Sequence, residues 1–155
     1  MGYIIPQVWV VRSAKATHFS GALVTDALEL EAMGDAAPTS SNRVPTIRSR
    51  IRKITILSEQ NLAWDVMLFK NTYTPPLSTD PDLHPLVEWL SFLAADAVRV
   101  AGVGLYIYTW TGLDIPYFNT DAPGQIHVGL INRDAVAKIA GAGGNVVVEI
   151  QGVTE

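Results

Sequence analysis

Residues 47–57, IRSRIRKITIL, alternate with a period of two and then lose phase. Arg48, Arg50 and Arg52 share one face of an extended chain, with Ile47, Ser49 and Ile51 on the other. From Lys53 onward the parity flips, and Ile54 and Ile56 occupy the positions that continue the arginine series. A strand with one face toward a core tolerates that flip in two ways. It carries an extra residue near Arg52–Lys53, or it passes from one sheet to another. Both solutions demand a β environment around this segment.

The rest of the chain has the same character: short apolar runs cut by proline, glycine and small polar residues. Residues 3–11, YIIPQVWVV, are β-rich, but Pro6 cannot donate to a ladder, so the run reads as an edge strand or an extended arm. Residues 20–42 admit two readings, a short helix with Leu23, Ala27, Leu30 and Met33 on one side or strands interrupted by Asp26, before the loop DAAPTSSN. After the turn at 58–61, Leu62, Trp64, Val66 and Leu68 can face a core, while Met67 and Phe69 leave the other side partly apolar. The loop NTYTPPLSTDPD precedes the one stretch with helical spacing, where Leu83, Leu86, Val87, Leu90 and Ala94 recur and Pro85 suits a first turn. A helix is therefore expected near 83–95. GVGLYIYTW, residues 102–110, reads as a strand apolar on both faces. These elements predict a mainly β chain, an antiparallel sandwich or jelly roll with one short helix and an extended N-terminal arm. Residues 1–45 are expected to form the arm and loop region, and 46–155 the sandwich.

At 155 residues a single domain can bury a sizeable core, and 48% hydrophobic residues supply it. The charged fraction of 17% is low, which fits a surface partly covered by a partner or simply a large core. A net charge of −4 argues against nucleic acid as the main partner. The absence of cysteine removes disulfides, thiolate nucleophiles and Cys-type zinc sites. No run reaches 18 uninterrupted apolar residues, so no membrane span is expected, and the opening MGYIIPQVWVV lacks the basic region of a secretory signal.

Motifs for chemistry are sparse. The glycine cluster AGAGGN at 140–145 would need a following helix to cradle a phosphate, but β-branched NVVVEIQ follows. It is expected to be a connection between two strands, its glycines supplying positive φ. His18, His84 and His127 are isolated in sequence, and His127 reads as a surface or interface residue on the strand face opposite Ile126 and Val128. Asp80 and Asp82 lie beside prolines, as in an Asx-turn and a cap. No serine lies in a nucleophile motif, and no catalytic residue, cofactor or metal is expected.

Surface patterning is more informative. Arg43, Arg48, Arg50, Arg52 and Lys53 form a basic run that reads either as a solvated strand face or as a footprint for an acidic protein surface. Tyr106, Tyr108 and Trp110 share one strand face, with Leu105 and Ile107 on the other, so one face of that strand carries large side chains in need of cover.

Taken together, NLAWDVMLF, LYIYTW and QIHVGLINRDAVAKIAGAGGNVVVEIQGV resemble the jelly-roll virion proteins of tailed bacteriophages, in particular small capsid cement or decoration proteins, over residues 50–153. The resemblance implies a non-enzymatic sandwich that self-associates, often as a trimer, and clamps major capsid protein subunits on the outer surface of the virion. Under that implication Tyr3, Ile5, Trp9, Arg43, Arg48, Arg50, Arg52 and Lys53 are capsid-contact candidates, and Tyr106, Tyr108 and Trp110 oligomer-contact candidates. The rival readings are a carbohydrate- or receptor-binding jelly roll of a fibre or tail, and an enzyme of cupin or glycosidase type.

Overall fold

The computed structural model describes residues 5–69, 86–118 and 124–155. Among them are ten strands: β1 (Val8–Arg12), β2 (Leu28–Met33), β3 (Ser49–Ser58), β4 (Trp64–Phe69), β5 (Leu86–Phe92), β6 (Val98–Arg99), β7 (Tyr106–Trp110), β8 (Ile115–Tyr117), β9 (Ile126–Asn132) and β10 (Val146–Thr154). One sheet runs β1-β10-β3-β7-β6 with β8 also paired to β3, and the other runs β2-β9-β4-β5. Four antiparallel pairs nest about the middle of the chain: β1 with β10, β2 with β9, β3 with β7, and β4 with β5. That winding is the jelly roll, which closes two sheets over one core.

The phase flip in β3 has the first of its two solutions. Lys53 stands opposite Gln151 and Ile51 opposite Gly152, so Arg52 is an extra residue with no partner on β10. The bulge lets Ile51 and Ile54 both point inward. It also marks a change of neighbour: β8 pairs with residues 49–51, and β7 with residues 54–58. The amide of Leu113, in the link between those two strands, donates to the Arg52 carbonyl at 3.1 Å.

Three expectations need correction. The segment expected as a helix near 83–95 is strand β5 over its described part, followed by a single 3-10 turn at Ala94–Asp96. Leu90 and Phe92 point into the sandwich while Trp89 and Ser91 point out. Period-two burial against the edge of β4 outweighs the helical spacing of the leucines, because every residue of the strand except Val87 gains a partner there. Second, the described part of 1–45 is not a separate arm. β1 pairs along its whole length with β10, β2 pairs with β9, and Trp9, Val11, Phe19, Leu23, Met33 and Val44 belong to the main core with Trp64, Ile54 and Ile150. Of the two readings for 20–42, strand holds for 28–33, and Asp26 adopts a left-handed φ of 63° just before it. Third, His127 is buried, at 5% exposure, rather than superficial.

That burial reflects an asymmetry. Along β10, buried and half-buried residues alternate, as one covered face requires. Along β4 and β9 every residue is buried. The outward side chains Met67, Phe69 and Ile131 form a second cluster, packed by Leu28, Leu30 and Leu86.

Candidate functional site

The glycine connection holds an anion of its own. Gly141 and Gly143 take positive φ values of 68° and 88°, as a tight turn of this kind needs. The amides of Gly143 and Asn145 and the Asn145 side-chain amide all donate to one oxygen of Glu59, at 2.7–3.0 Å. Desolvation raises the Glu59 pKa, but these three donors outweigh it and hold the carboxylate below its ordinary range. The loop therefore leads from β9 in one sheet to β10 in the other and is pinned by an internal carboxylate. The two strands it joins do not pair with each other.

The basic run folds into a mixed-charge row. Arg50 and Arg52 lie on the outer face of β3 and both reach Asp114, at 3.1 and 2.6 Å, while Arg50 also meets Glu155 at 2.6 Å. Arg12 pairs with Glu149 on the same sheet. Arg43 lies apart, its guanidinium donating to the Ala36 carbonyl, and Lys53 follows the bulge, half-buried. Arg48 and Arg50 line an open cleft of about 380 Å³ with Ser49, Pro116, Tyr117, Phe118 and Glu155. Phe118 is exposed beside these charges, so the cleft offers a paired charged rim and an apolar wall.

The aromatic candidates separate. Tyr108 is fully buried, its hydroxyl donating to the Leu62 carbonyl at 2.7 Å and lying 2.9 Å from Asn61 Oδ1. Desolvation pushes its pKa up to about 12. It belongs to this chain's own core and is withdrawn as an oligomer contact. Trp110 stays 40% exposed at the end of β7, edge-on to Phe92 at 5.6 Å, and Tyr106 is half-buried. Trp9 is likewise withdrawn as a capsid contact, because it packs inward against Gly152, whereas Ile5 is exposed. Tyr3, His84, Asp80 and Asp82 lie outside the described residues.

Sequence reasoning missed two groupings. Asp65 projects from the outer face of β4, and one of its oxygens accepts both the Trp89 indole N–H at 2.9 Å and the Arg133 Nε–H at 2.8 Å. Arg133 also meets Asp26 at 2.7 Å, and its guanidinium lies 5.7 Å from the Trp89 ring centroid. Trp89, 43% exposed, is thus an aromatic surface locked in orientation by charged neighbours. The signal for it was Asp65 itself, the one charge in the apolar run LAWDVMLF, although its partners lie far away in sequence. The second grouping is the buried Lys138, which donates to the Gly21 carbonyl; desolvation lowers its pKa, and nearby Glu29 counteracts that.

Among the described residues, no three His, Asp or Glu side chains gather as a metal site would require. His18 Nδ1 accepts the Ala14 amide at 2.9 Å. No helix among the described residues is long and apolar enough to cross a membrane. Comparison of the chain with protein-family models, with curated proteins and with solved structures gave no match.

Proposed function

We propose that this chain is a non-enzymatic structural protein of a virion, a cement or decoration protein that sits on the outside of a capsid lattice and stabilises it by contact. The jelly-roll order supports the reading, since that winding is shared by capsid proteins, lectins and cupins, and the resemblance over residues 50–153 favours the first of these. The observation that carries it is the Arg48–Arg52 rim. Arginines held in place by Asp114 and Glu155 beside the exposed Phe118 present a preorganised, charge-patterned patch suited to a protein surface. Many copies on one lattice multiply a modest contact into firm attachment.

The test is co-sedimentation with undecorated phage capsids over a salt series. Binding is expected at low salt, weakening as salt rises and falling at least about tenfold in an Arg50→Ala/Arg52→Ala variant. Failure to co-sediment at every salt concentration removes the proposal.

A specific observation favours a second reading, a carbohydrate-binding module. Trp89 is exposed, fixed by Asp65 and flanked by Arg133, the combination of stacking surface and directed polar groups that a sugar ring requires. A glycan array with Trp89→Ala beside wild type separates the readings: glycan binding lost in the variant supports the module, and an array blank for both proteins removes it.

A further inference from the structure

The outer margin of β1 is open for only two residues. Ser13 and Gln7 exchange hydrogen bonds with Val148 and Thr154 of β10, through backbone on one side and hydroxyl on the other. Antiparallel alternation then turns the backbone groups of Trp9 and Val11 toward β10, and those of Val8, Val10 and Arg12 away from it. At Arg12 the outward groups are already satisfied: its N–H donates to Asn42 Oδ1 at 2.9 Å, and Asn42 Nδ2 donates to its carbonyl at 3.2 Å. Asn42 thus imitates a strand residue and ends the open margin there. At the other end Pro6 has no N–H to offer. Between these two stops, the N–H and C=O groups of Val8 and Val10 meet no partner among the described residues. Their side chains are 63% and 38% exposed.

We infer that a second copy of this chain occupies that margin, β1 against β1 in antiparallel order about a two-fold axis at Trp9. Self-complementarity selects this occupant and this register. Val8 then faces Val10 of the other copy, and the two such pairs exchange four N–H···O bonds. In the same register Pro6 of one copy falls opposite Arg12 of the other. Asn42 already fills the place opposite Arg12, so each chain leaves the ladder at Pro6, which has no N–H to leave stranded. Shifting the axis to Val8 sets Val10 against Pro6 and strands a Val10 carbonyl. Shifting it to Val10 sets Val8 against the occupied Arg12. Only the Trp9-centred register matches every open group of Val8 and Val10, and it places uncharged valines opposite one another on the outer face. The two large sheets become one continuous sheet across the dimer. The inference stands apart from the capsid reading.

The cysteine-free sequence gives a direct test. Val8→Cys and Val10→Cys proteins, mixed and mildly oxidised, are expected to form a disulfide between unlike chains, because a hydrogen-bonded pair places Cα atoms about 5.5 Å apart. Each variant alone is expected to crosslink several-fold less on a non-reducing gel. Sedimentation of the wild type is expected to show a dimer whose dissociation constant rises at least about tenfold in Val8→Lys/Val10→Lys. Circular dichroism of that variant checks that it folds. A wild type that stays monomeric up to high micromolar concentration, or crosslinks equal in the mixed and single samples, overturns the inference. A monomer that still co-sediments with capsids overturns it while leaving the proposed function in place.

Discussion

The two outer faces of the sandwich obey different rules. On the large sheet the outward positions hold Arg12, Arg50, Arg52 and Glu149, paired across strands and half in water. On the small sheet they hold Met67, Phe69, Ile131 and His127, all buried. One sheet therefore has a single apolar face, and the other has two. The small sheet has fewer strands but a packed layer on each side, so its outward residues should matter to stability as core residues do. The outward residues of the large sheet are free to serve recognition.

Truncation gives the largest expected contrast. Met67→Ala should cost about 3 kcal/mol in urea denaturation, and Val147→Ala, outward on the large sheet, less than about 1 kcal/mol. Equal losses would break the distinction between the faces. Next come the two glycines that each sheet places under a large side chain. A Cβ at Gly152 would strike the Trp9 indole, whereas one at Gly129 would meet the end of the Leu28 side chain at 2.7 Å and the Phe69 ring at 3.2 Å. Gly152→Ala is expected to cost about 2 kcal/mol and red-shift tryptophan emission as Trp9 is displaced; Gly129→Ala should cost less, because Leu28 can turn aside.

Glu59→Gln weakens the clasp on the glycine connection by about 1 kcal/mol at neutral pH. The folded pKa of Glu59 lies below its unfolded value, so the stabilisation is complete above about pH 4.3 and is lost as the pH falls through the folded value. An acid titration of amide exchange at Gly143 and Asn145 checks the sign: wild type should lose protection on acidification, and the variant should start with less and change little. His127 gives a smaller effect. Burial lowers its pKa, so the wild type loses stability as the pH falls below about 6.5 and the unfolded chain takes up the proton first. Among the described residues His127 Nδ1 is buried without a partner, so His127→Leu should cost little at pH 8 and flatten that slope in pH-dependent melts. The smallest effect belongs to the charged face. Asp114→Ala removes partners from Arg50 and Arg52, yet should leave the urea midpoint almost unchanged, because these pairs are exposed and screened by water.

The β class, the bulge near Arg52–Lys53 and the turn role of the glycine cluster were legible because each depends on local spacing. The strand at 86–92 was not, since leucines three and four apart fit a helix in isolation and only the waiting edge of β4 decides otherwise. Residues 3–11 read as an edge strand or an arm, and 20–42 as a helix or strands; the strand alternative holds in both, and the partners that decide it, on β10 and β9, lie about a hundred residues or more away. The Trp89 grouping draws on residues 26, 65, 89 and 133, which no motif spacing connects. His127 misled because alternation predicts a wet outer face, and the two central strands of this sheet have none.

The unmatched residue in β3 has a consequence for changes of chain length. Because Arg52 is counted on one strand and skipped on the other, shortening the chain by that residue would not simply delete an arginine. It would join Ile51 directly to Lys53, already opposite Gly152 and Gln151, so Ile51 and Ser49 would still face the core and Arg50 the water, on a regular strand that has lost its bend. What position 52 supplies is the bend and the carbonyl that receives the Leu113 amide, so its loss should disturb the link between β7 and β8 rather than the inward face of β3.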